Sequence, residues 1–95
     1  MTRYWLTKLA EADLEEIHDY IATGSPPRAD QYIDSLMDDC QTIRDYPFIG
    51  SDRSEFGAGV RVFPVGSHLI FYRIVGPDVE ILRFLHGRRD IKSLS

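Results

Sequence analysis

The chain has a single cysteine, Cys40, which excludes an internal disulfide and a cysteine-based zinc site of the usual kind. No apolar run approaches the ~20 residues that a membrane span needs, so no membrane association is expected. No repeat, linker or low-complexity stretch divides the 95 residues, and one domain covering 1–95 is expected. Met1 to Leu6 reads as strand and not as a leader, so a cytoplasmic location is expected. Basic charge is scarce as well. The net charge is −4, which argues against direct nucleic-acid binding.

What basic charge there is sits unevenly. Met1 to Glu55 carries five Lys/Arg against twelve Asp/Glu, and Phe56 to Ser95 carries six against three. Half of those six lie in Val79 to Asp90, where an apolar strand pattern runs into Arg83, His86, Arg88 and Arg89. Charge segregated along so short a chain suggests segregated faces, and a basic face on an acidic protein implies a binding partner.

The elements follow from periodicity and caps. Arg3 to Leu6 is aromatic and apolar, suiting a short strand. Thr7 is an N-cap, and Ala10, Leu14, Ile17 and Ile21 step along one helical face, with Gly24 expected to end the helix in left-handed geometry. Ser25 and Pro26 open a second helix, striped by Ala29, Ile33, Leu36, Cys40 and Ile43 and closed by Tyr46-Pro47. Cys40 falls on that stripe and reads as a small core residue. Pro47 to Gly59 is read as an irregular surface loop. Three strands follow, Val60–Pro64, Ser67–Val75 and Val79–Leu85, separated by tight turns at Gly66 and Gly76-Pro77-Asp78. Pro64 confines the first of these to an end or an edge. The expected fold is α+β: an antiparallel sheet of about four strands in β-α-α-β-β-β order, with an αα-hairpin packed on one face.

Several local sequences, in order, resemble the ParE branch of the RelE/ParE toxin superfamily. They are Ala12-Asp13-Leu14-Glu15-Glu16-Ile17 with Tyr20-Ile21, Pro47 with Gly50, Arg53 with Glu55, Gly59 with Arg61, His68 to Arg73, and Val79 to Asp90. The resemblance covers nearly the whole chain. It implies a toxin of a type II toxin–antitoxin pair, held in a hetero-oligomer by a ParD-like antitoxin whose disordered segment folds over the helix hairpin and a sheet edge. ParE-like members are associated with poisoning DNA gyrase, and RelE-like members cut mRNA on the ribosome.

The candidate residues bear on that choice. Metal-independent RNA cleavage requires a base, charge stabilisation and an acid. Arg61 and Arg83 could clamp a phosphate, His86 could shuttle a proton, and Glu55 could be a base. Yet the Pro47 to Gly59 loop holds no lysine and no tyrosine follows His86, so the lysines and terminal tyrosine of RelE have no counterpart. The preferred expectation is therefore a binding toxin without cofactor, metal or catalytic residues, engaging gyrase through Arg61, Arg83, His86, Arg88 and Arg89. A ribosome-dependent nuclease and a degenerate toxin that keeps only antitoxin binding are the alternatives. Each residue also has a structural reading: Arg61 and Arg83 as stems covering the sheet, His86 as a hydrogen-bonded strand-end histidine, and Arg88, Arg89 and Lys92 as a solvated tail. His68, alternating with Leu69 and Phe71, is expected on the sheet face away from the helices.

Overall fold

The computed structural model describes residues 2–90. The chain runs β1 (Tyr4–Leu6), α1 (Lys8–Ala22), α2 (Pro26–Asp45), β2 (Ser51–Asp52), a 3₁₀ turn (Ser54–Phe56), β3 (Val60–Val65), β4 (His68–Val75) and β5 (Asp78–His86). Both helices start where their caps place them. The Thr7 side chain accepts from Ala10 N at 3.1 Å, and Ser25 accepts from Arg28 N at 3.4 Å ahead of Pro26. Tyr46 leaves the helical region (φ −132°, ψ 72°), as the residue before a proline must.

The exit of α1 differs from expectation. Gly24 is absent from the positive-φ glycines, and Thr23 keeps right-handed geometry (φ −61°, ψ −30°). The stop comes from downstream. Pro26 forces Ser25 into extended backbone (φ −159°, ψ 105°), and the amides of Gly24 and Ser25 both turn back onto Ile21 O at 3.0 Å.

The sheet has five strands in the order β1-β5-β4-β3-β2 and is mixed, a correction to the antiparallel four-strand expectation. β3, β4 and β5 form the expected meander. Its two-residue turns have Gly66 (φ 54°) and Gly76 (φ 61°) at the first central position, where a II′ hairpin needs positive φ. β1, however, lies parallel to β5, with Tyr4 opposite Val79 and Leu6 opposite Ile81. The fifth strand is β2, inside the segment read as irregular. Ser51 pairs with Val62 and Asp52 with Arg61, and both β2 residues are polar and exposed, so no alternation marks them. Because β2 begins only at Ser51, opposite Val62, Pro64 sits on β3 where no outer strand asks for its missing amide.

The two helices cover one sheet face. Ala10, Ile17, Leu36, Cys40 and Ile43 meet Ile70, Tyr72, Val79, Ile81 and Phe84 in the main core. Each fully buried large side chain there contributes about 1.5–3 kcal/mol relative to exposure, so this layer dominates stability. A smaller cluster of Val60, Val62, Phe71 and Leu85 occupies the opposite face, with Phe56 edge-on to Phe71 at 5.4 Å. Cys40 is fully buried, and burial pushes its thiol up to about 12, which leaves it unreactive.

His68 faces the helices, contrary to the sequence expectation. It shares its parity with Ile70 and Tyr72 of the main core, while Leu69 and Phe71 belong to the opposite cluster. Both faces of β4 are apolar, so alternation alone could not say which one meets the helices.

Candidate functional site

β5 is the strand on which the basic residues stand, and its outer edge is only half covered. β1 reaches no further than Ile81, where the chain turns into α1. Thr7 continues the edge: its amide donates to Ile81 O at 3.0 Å and its hydroxyl to Leu82 O at 2.8 Å. Leu82 is an extra residue in the ladder, because Tyr72 pairs with Ile81 and Phe71 with Arg83. Such a bulge re-aims the following side chain. Arg83, in register with Phe71, reaches past the open end of β1 to Asp13 of α1 through two bonds, Nε to Oδ2 at 2.7 Å and Nη2 to Oδ1 at 2.9 Å, and Asp13 Oδ2 also accepts from Phe84 N at 3.0 Å. Hydrogen bonding to Asp13 holds the Arg83 guanidinium above its usual range. One carboxylate thus neutralises the arginine and satisfies an amide that β1 leaves unpaired.

Sequence reasoning missed Asp13, although a signal existed. Asp13 lies three residues after Ala10 and four before Ile17, which puts it at the margin of the buried stripe.

Beyond Phe84 the strand ends in a turn stapled by its own side chains. His86 N donates to Asp90 Oδ2 at 2.7 Å, and Gly87 N donates to Ser67 O at 2.9 Å. The amides of Arg88 and Arg89 both donate to His86 Nδ1, at 3.3 and 3.2 Å. Arg89 Nε donates to Asp90 Oδ1 at 3.1 Å, and its Nη2 lies 3.9 Å from Glu16 of α1. Arg88 is exposed, with no side-chain ion pair among the described residues. Lys92 lies outside the described residues.

A cleft of about 530 Å³ opens beside this turn, between Ile17, Tyr20 and Ile21 of α1, Tyr32 of α2, and His68 and His86. Tyr32 Oη lies 2.6 Å from His68 Nδ1, and the His68 ring meets that of His86 edge-on at 5.3 Å. Burial, and then the charge His86 can carry, holds His68 below the usual histidine range.

Arg61 is far from this group in role and direction. It stands on β3, two strands from β5, and its Nη2 donates to Gly50 O at 2.6 Å and Phe48 O at 3.3 Å, under the Phe48 ring at 5.1 Å. Glu55 is exposed and paired with Arg53 at 2.9 Å. The structure therefore brings together Arg83, His86, Arg88 and Arg89, and leaves Arg61 and Glu55 apart. Acidic residues of α1 also reach the basic strip, so charge segregated along the sequence is interleaved in space. Among the described residues no group of three or more His, Cys, Asp or Glu could hold a metal ion, and no helix is long and apolar enough to cross a membrane.

These features define a small α+β domain with a structured basic turn at the end of its fifth strand. The profile of the family described as the ParE toxin of type II toxin–antitoxin system, parDE, matches residues 4–91. The chain is 37% identical over 93 residues to Toxin ParE1 of Mycobacterium tuberculosis, covering 95% of this chain and 94% of that protein. It is 39% identical over 88 residues to Toxin ParE1 of Caulobacter vibrioides, covering 90% of each. A chain described as the chromosomal ParDE TA system from P. aeruginosa shares the fold, with a TM-score of 0.75 and 24% identity over 90% of this chain and 95% of that one. The chain belongs to the ParE toxin family of type II toxin–antitoxin systems.

Proposed function

We propose that this ParE-family toxin acts by binding, on DNA gyrase, with no chemistry of its own, and that a cognate ParD-like antitoxin neutralises it in the cytoplasm. The observation that carries the choice against RNA cleavage is the dispersal of the candidate nuclease set. Arg61 is held by Gly50 O two strands away from Arg83 and His86, and the Arg83 guanidinium is already occupied by Asp13. The parts that remain presented to a partner are Arg88 and Arg89, on a turn that His86 and Asp90 hold in shape. Arg83 stands behind them as the link to α1, and Arg61 supports the 48–50 segment. A partner with an acidic surface fits such a turn.

The antitoxin has separate ground to occupy. Leu9 and Tyr20 on α1 are 60% and 74% exposed, and the edge of β3 beyond Val62 has no strand beside it. An amphipathic helix on the first surface and a strand on the second would bury both.

The test pairs two assays on antitoxin-free toxin, gyrase supercoiling and mRNA integrity in a translating extract. Inhibition of supercoiling with intact mRNA is the expected result. The Arg88→Ala/Arg89→Ala variant should lose inhibition by roughly tenfold or more while still binding antitoxin. Cleaved mRNA with unaffected gyrase would replace this function with the nuclease alternative.

A further inference from the structure

We propose that His86 is the positioning residue of the binding turn, and that protonating its ring unfastens Arg88 and Arg89. The inference rests on the binding role just proposed for those two arginines.

A backbone amide can only donate. Nδ1 of His86 receives the amides of both Arg88 and Arg89, at 3.3 and 3.2 Å, so Nδ1 must carry its lone pair and the ring proton must sit on Nε2. The geometry thus assigns the tautomer. The arrangement is that of an N-cap, with an imidazole nitrogen doing what a Ser or Asp oxygen usually does. From the other end Asp90 holds His86 N at 2.7 Å, and Ser67 O holds Gly87 N at 2.9 Å. Four amides, from His86 to Arg89, therefore have acceptors, and one ring nitrogen supplies two of them.

A second ring proton can go only to Nδ1. It converts the shared acceptor into a donor that points at two donors, and it places a positive charge in the cleft that Arg89 also lines. From β4, the His68 ring faces His86 at 5.3 Å and adds repulsion whenever it too is charged. Behind His68 stands Tyr32 of α2, with Ser67 in the β3–β4 turn. Across the cleft α1 offers Glu16 and Tyr20. Glu16 and Asp90 are the carboxylates that attract an imidazolium, but Asp90 already serves His86 N and Arg89, and Glu16 faces Arg89 at 3.9 Å. Attraction to either cannot restore an acceptor for the two amides. The turn opens, and the arginines lose their fixed direction.

The experiment follows ring and amides together by NMR on ¹⁵N-labelled toxin from about pH 8 to about pH 5, a range that spans histidine titration. The expected result is a neutral His86 protonated on Nε2, with the Arg88 and Arg89 amides shifting and losing exchange protection at the same midpoint as the ring. Two variants separate positioning from contact. In His86→Asn the side-chain oxygen can take the place of Nδ1 and does not titrate, so amide protection and gyrase inhibition persist and their dependence on this ring disappears. His86→Phe keeps ring bulk without an acceptor, so protection is lost at every pH and inhibition falls by roughly tenfold. An Nδ1–H tautomer at neutral pH, amides indifferent to the ring, or an Asn variant as impaired as Phe would overturn the proposal. If His86→Phe loosens the turn but inhibition is unchanged, the positioning role stands and the binding role of Arg88 and Arg89 is what fails.

Discussion

Tyr72 is fully buried in the main core, yet its hydroxyl is the anchor for the chain that leaves α2. It donates to Pro47 O at 2.6 Å and accepts from Gly50 N at 2.9 Å. Gly50 has to be glycine for this: a Cβ there would lie 2.6 Å from the Tyr72 oxygen and 2.8 Å from Val62 O. Arg61 completes the anchor from β3, although its Nε is buried without a partner. Phe48 and Tyr46 are exposed to 74% and 68% on a segment that is nonetheless tightly held at its base. Tyr72→Phe keeps the ring and strands a buried amide, so it should destabilise the protein by about 1–3 kcal/mol. Urea unfolding checks this as a lower midpoint with an unchanged slope, and an unshifted midpoint would mean that the hydroxyl anchors nothing. None of this could be read from the sequence beyond the spacing of Pro47 and Gly50, because the three partners lie on separate elements.

Between elements, the junction of α1 and β5 is the most demanding contact. β1 gives out at Leu6, β5 carries on to His86, and α1 supplies the missing edge through Thr7 and Asp13. The Asp13–Arg83 pair has an Asp side chain 11% exposed and an Arg 36% exposed, so solvent screens part of its worth. Asp13→Asn retains an acceptor for Phe84 N and should cost about 1 kcal/mol, whereas Asp13→Ala also orphans that amide and should cost about 2–3 kcal/mol. Thermal unfolding of the two variants gives the comparison. Equal losses would show that the charge, and not the capped amide, is what the junction needs. The same contact explains why Arg83 is a poor choice for testing target engagement by itself, since removing it disturbs the platform as well as the charge.

For the whole molecule, two histidines oppose each other in acid. His68 is buried and held below the usual range, so the unfolded chain takes up its proton first as pH falls. Its contribution to stability is full above about pH 6.5 and is lost as pH drops through the lowered native value. His18 has the opposite sign. Its hydrogen bond to Asp30, at 2.9 Å, raises it, so its contribution is present below about pH 6.5 and fades as pH rises through the raised value. That pair is on the surface and screened, so the buried histidine decides. The melting temperature should therefore fall between about pH 7.5 and about pH 5.5, a range bracketing histidine titration. His68→Gln should flatten the profile, and an unaltered slope in that variant would show that the loss arises elsewhere.

By itself the sequence determined what depends on near neighbours. The helices followed from stripes such as Ala29-Ile33-Leu36-Cys40 and from caps at Thr7, Ser25 and Pro26, all within a few residues of one another. The tight turns followed from Gly66 and Gly76-Pro77-Asp78, and the basic cluster was visible within the short stretch from Arg83 to Arg89. Tertiary structure alone decided the rest. Val79 lies 75 residues from the strand that pairs with it, and nothing in the periodicity of either chooses a neighbour or a direction. β2 is too short and polar to alternate, and two apolar faces on β4 left His68 without a side. The bulge at Leu82 is a property of two strands read together, so the register that sets Arg83 opposite Phe71 had no local signature. The residue types of the site are written in the chain; which of them are tied down, and which are offered to a partner, is settled only when distant backbone groups compete for the same acceptors.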